Sequence, residues 1–337
     1  MTNRRPTRIH CEIDLARDGK QVGYLRVPHS VHRSAYGWLP VPIVSIRNGD
    51  GPRALLLAGN HGDEYEGQVA LAKLVRALEP GAIRGRVVVM PMANFPAAMA
   101  GLRTSPLDEG NLNRTFPGDP DGSVTAMLAH FIEDVLLPQS DFMIDLHSGG
   151  SSLHYLPTGM IRVTADKALA ARCRALLEAF APPHAITISM GGEDRTSIAA
   201  GLRAGVVTMV TELGGSGTVS PDCLRHAEHG VRRALRHMGI LQGGPGADEP
   251  PPLAPRWLSI GGDRAYLYAP EPGLFEPRVD LGEWVKSGQS AGAIHDPATP
   301  WRAPAEVTFR YDCYVLCKRV PGRVERGDCL FHLASAP

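Results

Sequence analysis

Among its six cysteines the chain has no Cys-x-x-Cys pair, the spacing that a dithiol or a zinc ribbon needs. The nearest two, Cys313 and Cys317, lie in a run that reads as extended. Four residues of strand span roughly 13 Å, too far for one disulfide or one shared metal. A disulfide framework is excluded and a reducing compartment is expected. Net charge is missing too, with 35 Lys+Arg against 35 Asp+Glu. Such a balance offers no footprint for nucleic acid or an acidic lipid surface. No run approaches the roughly 18 apolar residues of a membrane span. The opening Met1-Thr2-Asn3-Arg4-Arg5-Pro6 carries no apolar leader core, so the cytoplasm is the expected location. G-x-G-x-x-G and the P-loop are absent, which argues against nucleotide chemistry. Ser148 and Ser216 lie in Gly-rich turns but not in G-x-S-x-G, and no thiol sits in a promising turn.

What is present is a globular composition, 43% hydrophobic and 21% charged over 337 residues. That length suits one large and one small domain. Short β-like pieces at 23–28 and 41–46 lead into an apolar strand at 54–58. A helix at 69–78, a strand at 86–91, a helix at 124–137 and a strand at 141–146 follow. Further on come a helix at 167–180, a strand at 206–211 and a helix at 221–238. This alternation implies an α/β fold, a mixed or largely parallel sheet sandwiched by helices. Residues 94–121 form a long Gly-, Pro-, Asn- and Arg-rich loop, a length that is usually functional. A Pro/Gly-rich linker at 242–256 separates residues 1–241 from a β-rich part at 257–337. There Val285-Lys286-Ser287-Gly288-Gln289 is echoed by Val324-Glu325-Arg326-Gly327-Asp328. The echo predicts a small all-β, barrel-sandwich-like domain of two similar halves. It looks like the lipoyl/biotinyl type, but residues 295–310 contain no lysine to carry a modification. A carrier role is not expected.

Polar signatures stand at the carboxyl ends of three predicted strands, the edge where open α/β sheets bind ligands. The first is Gly59-Asn60-His61-Gly62-Asp63-Glu64, the second Asp145-Leu146-His147 and the third Thr211-Glu212-Leu213-Gly214. Alone, the His-x-x-Glu of the first reads equally as a polar turn capping a helix. Together, His61, Glu64 and His147 make a His₂Glu set for one zinc, with a position left open. Glu212 is then the free carboxylate that exchanges a proton with water and a leaving nitrogen. Asp145, two residues before His147, is placed to orient that imidazole, or is an ordinary buried aspartate. Arg103 and Arg114 offer guanidinium forks for a carboxylate or an oxyanion.

These segments, with Asn111-Leu112-Asn113-Arg114, resemble the succinylglutamate desuccinylase/aspartoacylase family of zinc amidohydrolases, related to metallocarboxypeptidases. The likeness spans residues 40 to 240 in order, and the β-rich tail is also similar. The resemblance implies one zinc on His61, Glu64 and His147, with Glu212 as general base. It implies Arg103 at the oxyanion, and Asn113 and Arg114 on the substrate carboxylate. The implied reaction removes a short acyl group, acetyl foremost, from a small N-acyl amino acid. The run 191–197 departs from the family pattern: Arg195 stands where a neutral residue is expected, which favours an additional acidic group on the substrate. A carboxypeptidase-like exopeptidase and a metal-binding small-molecule receptor are the alternative readings. A homo-oligomer is left open.

Other pairs are expected to be structural. His130 and Glu133 repeat the spacing but read as a surface pair one helical turn apart. His226 and His229 read as a solvated face. His154 is either pocket lining or packing, and Tyr266 and Tyr268 are candidate pocket residues from the C-terminal part.

Overall fold

The computed structural model describes residues 5–189, 192–246 and 249–336. Gly191 of the departing run, two linker residues and the extreme ends of the chain lie outside them. Among the described residues, one 14-stranded sheet runs through the molecule. Its centre is parallel, in the order Gly85–Met90, Arg53–Ala58, Phe142–His147, Val207–Gly215. Antiparallel strands extend it on both sides. Trp38–Asn48 pairs with Gly85–Met90, and Leu153–Arg162 with Val207–Gly215. The sheet is thus mixed, with the expected parallel centre. Leu153–Arg162 mixes buried and half-buried residues around one proline and one glycine, a pattern too broken to announce a strand beforehand.

The central strands are buried along their whole length, as parallel strands covered on both faces must be. Alternate side chains divide between two cores. Leu56, Ile144 and Met209 pack beneath the helices Tyr65–Ala77, Lys167–Phe180 and Pro221–His237. Leu55, Leu57 and Met143 face Val124, Met127, Leu128, Phe131 and Ile132 on the other side. The helix predicted over 124–137 is α-helical only over Val124–His130 and continues as a π-turn over Phe131–Leu136. That helix buries His130 and Glu133 rather than exposing them as a surface pair. Glu133 takes both nitrogens of the Arg203 fork, and His130 lies 3.1 Å from Asp134. The long loop holds a short helix, Phe95–Ala100, and a turn at Leu112–Arg114.

After the linker, Arg256–Leu258 pairs parallel with His184–Ile188, returning the chain to the main sheet. Cys313–Arg319 then pairs with Leu153–Arg162, so C-terminal strands extend the same sheet. A second, antiparallel sheet contains Gly273–Pro277, Ser290–His295, Ala305–Thr308 and Arg323–Val324. Here the sequence echo becomes a structural one. Trp284–Val285 leads through a turn to Ser290–His295, and Arg323–Val324 likewise to Cys329–Ala334. In the turns, Lys286 N donates to Gln289 Oε1 at 3.0 Å and Glu325 N to Asp328 Oδ2 at 2.9 Å. Gly288 and Gly327 hold the same left-handed conformation, φ 81° and 91°, which glycine enters without strain. All six cysteines are free thiols. No helix among the described residues is long and apolar enough to cross a membrane.

The helix Tyr65–Ala77 meets the central sheet through Gly67. A Cβ there would sit 2.6 Å from Leu146 Cβ and 2.8 Å from its carbonyl oxygen. Gly67→Ala is therefore expected to destabilise by about 1–3 kcal/mol, although alanine is the better helix former by about 1 kcal/mol. Urea unfolding measures the sign, and a gain in stability would refute the contact.

Candidate active site

The segment 59–64 leaves the strand Arg53–Ala58 and doubles back against the start of Phe95–Ala100. Gly62 allows this: a Cβ would lie 2.0 Å from the Ala97 carbonyl carbon. Gly62 N donates to Leu102 O at 2.8 Å, and Gln68 Nε2 donates to the carbonyls of Gly62 and Glu64 at 3.0 and 2.9 Å. Asp63 Oδ2 accepts from both the backbone and the hydroxyl of Ser151, at 2.7 and 2.8 Å. With its neighbours pinned, Glu64 starts the helix Tyr65–Ala77 but does not cap it with its side chain. Its carboxylate turns inward instead.

There it meets two imidazoles. Glu64 Oε1 stands 2.6 Å from His61 Nδ1, and Oε2 stands 2.8 Å from His147 Nδ1. Ser148 N also donates to Oε2 at 3.1 Å. All three side chains are buried. Burial pushes the Glu64 carboxyl up, but His61 and His147 outweigh it and hold it well below the usual carboxylate range. The far nitrogens are anchored. His61 Nε2 lies 3.2 Å from Asn111 Oδ1, and His147 Nε2 lies 3.0 Å from Asp145 Oδ2. Because both partners accept, each Nε2 donates to its anchor, and Nδ1, facing a Glu64 oxygen, is the nitrogen whose lone pair a cation would take in place of a proton.

Two imidazole lone pairs and a carboxylate thus converge, their ligand atoms all within 4.8 Å of one another. A divalent cation suits such a set, and among the described residues no other cluster meets this criterion. The backing behind the histidines matches what orients metal-binding imidazoles. Asp145 Oδ2 also accepts from Asn60 Nδ2 at 2.9 Å and from the Ser197 hydroxyl at 2.6 Å.

Glu212 is brought alongside by register. It pairs with His147 on the adjacent parallel strand, so both side chains rise from the same face. Its Oε2 is buried and has no hydrogen-bond partner among the described residues. Burial and the nearby Glu64 push its carboxyl well above the ordinary value, against a smaller opposing pull from His147 and Arg103. Arg103, half exposed, reaches over the cluster, with Nη1 3.4 Å from His61 Nδ1 and 3.7 Å from Glu64 Oε1.

The remaining candidates line one rim. Asn113 Oδ1 accepts from Ser197 N at 2.9 Å, and Arg114 Nη1 donates to the Asn113 carbonyl at 2.7 Å. Arg195 is spoken for: its Nε and Nη2 donate to the two oxygens of Glu193 at 2.9 and 2.8 Å. An additional acidic group, expected from Arg195, would meet a guanidinium already neutralised. Tyr266 stacks on His332 at a centroid distance of 4.5 Å. His154 is held by the Ser216 hydroxyl at 2.7 Å. Asn111, Asn60, Ser197 and Glu193 escaped the sequence reading. Asn60 and Asn111 lie within the motifs at 59–64 and 111–114, whereas Glu193 and Ser197, in the run 191–197, sit beside no recognisable strand end.

Asp145→Asn keeps the shape but lets an amide N–H face His147 Nε2. Metal affinity is expected to fall about 10–100-fold, as read by competition with a chelator. Unchanged affinity would detach Asp145 from the cluster.

Comparisons with known proteins identify the family. Residues 50–238 match the succinylglutamate desuccinylase/aspartoacylase catalytic domain. The N-alpha-acetyl-L-2,4-diaminobutyric acid deacetylase of Halomonas elongata is 39% identical over 330 residues, covering 98% of this chain and 96% of that protein. Segments 59–67, 103–106, 111–118, 145–150 and 212–215 of this chain resemble that type of deacetylase. A product-bound structure of the ectoine utilization protein EutE (DoeB) from Ruegeria pomeroyi superposes with a TM-score of 0.93 at 37% identity, covering 98% of this chain and 100% of that one. A succinylglutamate desuccinylase/aspartoacylase from Rhodobacter sphaeroides gives 0.91 at 40% identity, covering 98% and 100%. The chain belongs to the succinylglutamate desuccinylase/aspartoacylase family, an enzyme family of the deacylase type.

Proposed function

We propose that this protein hydrolyses the amide bond of N-acetyl-L-2,4-diaminobutyrate, releasing acetate and diaminobutyrate, with one zinc ion held by His61, Glu64 and His147. The observation that carries the reading is the pairing of His147 with Glu212, whose unpartnered oxygen stands beside the His₂Glu cluster. A pure binding protein has no use for such a carboxylate. Zinc is the ion of choice because two imidazoles, one carboxylate and an open position form a catalytic zinc donor set. Bound there, it supplies a Lewis acid that polarises the amide carbonyl and lowers the pKa of water toward about 7.

The protein groups do the rest. Glu212, its carboxyl raised by burial, takes the proton of the attacking water and passes it to the departing nitrogen. Arg103 faces the carbonyl oxygen as negative charge grows there. Arg114 and Asn113, on the rim, hold the substrate carboxylate by charge and hydrogen bonding. Asp145 fixes the tautomer of His147. We retain the division into 1–241, 242–256 and 257–337; in its favour, the last part has a core of its own around Phe275, Phe309 and Phe331. The repeated strand–turn–strand supports a barrel-sandwich-like description of that part. Six unpaired thiols support a cytoplasmic location.

Glu212→Gln is expected to retain bound metal while kcat falls about 10²–10⁴-fold; elemental analysis beside a deacetylation assay reads both. Near-normal turnover would remove Glu212 from the proton transfer. For Arg114→Ala the expected effect is a KM raised about tenfold or more at nearly constant kcat, and an unchanged KM would contradict the carboxylate clamp.

A further inference from the structure

The loop carrying Glu193 is firmly placed. Arg162 donates to the Glu193 carbonyl at 2.8 Å and to Asp194 Oδ1 at 2.7 Å, and Arg203 donates to the Asp194 carbonyl. Phe116 N donates to the Arg195 carbonyl at 3.3 Å, and Thr196 caps the helix Ser197–Arg203. Through Ser197 the same loop is bonded to Asn113 and to Asp145, behind His147. Its side chains therefore belong to the rim of the site.

On that rim the charges are arranged unevenly. Glu193 takes the Arg195 fork in a two-point pair, the geometry that holds a guanidinium most firmly. Arg114 Nε stays 3.9 Å from Glu193 Oε2, beyond hydrogen-bonding distance, and with Nη1 on the Asn113 carbonyl its guanidinium is hydrogen-bonded to no carboxylate of the rim. Arg195 holds the Glu193 carboxyl down to about 2, so Glu193 is ionised throughout the neutral range. Arg114, Arg195 and Glu193 together leave a single positive charge, enough for one substrate carboxylate, while Arg103 is turned to Glu64 and His61.

We infer that Glu193 sets the charge selectivity of the site: by occupying Arg195 and presenting its own negative charge, it rejects N-acyl amino acids with an acidic side chain. The inference rests on the deacylase reading above. A substrate with one carboxylate meets Arg114 alone. A second carboxylate finds the neighbouring guanidinium taken and a like charge facing it, a juxtaposition that disfavours an anionic side chain. A side chain ending in an ammonium meets no such obstacle.

Three substrates with two methylenes before the side-chain terminus test this: N-acetyl-L-2,4-diaminobutyrate, N-acetyl-L-glutamine and N-acetyl-L-glutamate, with cationic, neutral and anionic ends. The metal-loaded wild type, E193Q and E193Q/R195Q are compared by kcat/KM, with melting temperatures to verify folding. In E193Q the glutamate-to-diaminobutyrate ratio is expected to rise about tenfold or more, chiefly through a lower KM for N-acetyl-L-glutamate. Adding R195Q is expected to cancel that lower KM, because the freed fork is gone. Normal hydrolysis by E193Q with an unchanged ratio, or a gain that survives R195Q in full, overturns the inference alone. Failure of the wild type to hydrolyse any of the three overturns the deacylase reading and this inference with it.

Discussion

One carboxylate governs the architecture of this site. Glu64 lies between His61 and a second imidazole 83 positions further along the chain, His147, and each of its oxygens serves one of them. All three groups are buried, and burying ionisable groups is tolerable only when they are mutually satisfied. The surrounding structure is committed to that satisfaction. Glu64 gives up capping its own helix, Gly62 admits the backbone of the short helix at Phe95–Ala100, and Asp63 ties the turn to Ser151. A side chain at Gly62 or Gly67 would push against backbone at distances no real contact tolerates. The turn and the helix that follows it can therefore sit in one place only.

Support then spreads outward through hydrogen bonds rather than apolar packing. Asp145 collects His147, Asn60 and Ser197 on one oxygen. Ser197 also reaches Asn113, and the loop before it carries Glu193 and Arg195. The polar rim and the metal-binding cluster are thus one connected network, in which moving the loop at 193–197 moves the backing of a histidine. Such networks rigidify when every member is satisfied. Unpartnered oxygens remain beside the cluster on Asp145, Asn60 and Glu212, where that rule is not met.

The C-terminal strands contribute by extension as well as by packing. Cys313–Arg319 continues the main sheet beyond Leu153–Arg162, while the antiparallel sheet beside it holds a separate core. Between them, Tyr266 and His332 stack, and Tyr155 reaches His332 at 3.0 Å. The edge of the central sheet nearest the site is in this way covered rather than left open.

The apolar strand 54–58, the helix 167–180 and the order of motifs at 61–64, 145–147 and 212 were legible because buried parallel strands and amphipathic helices write their periods into the chain. The repeat at 285–289 and 324–328 was legible for a similar reason: a turn that needs a left-handed residue demands glycine at the same offset twice. Other features left no such trace. Leu153–Arg162 is a strand because its neighbours on either side accept it, not because its own residues alternate cleanly. His130 and Glu133 carry the spacing of a surface pair, and only the π-turn and Arg203 bury them. Arg195 reads as a free positive charge until Glu193, two residues earlier, is seen folded onto it. The sequence by itself determined which residues can bind a cation and in what order they arrive, because that is set by side-chain chemistry and strand ends. Only the tertiary structure decided which charges remain free, because pairing depends on distances between loops that local sequence does not encode.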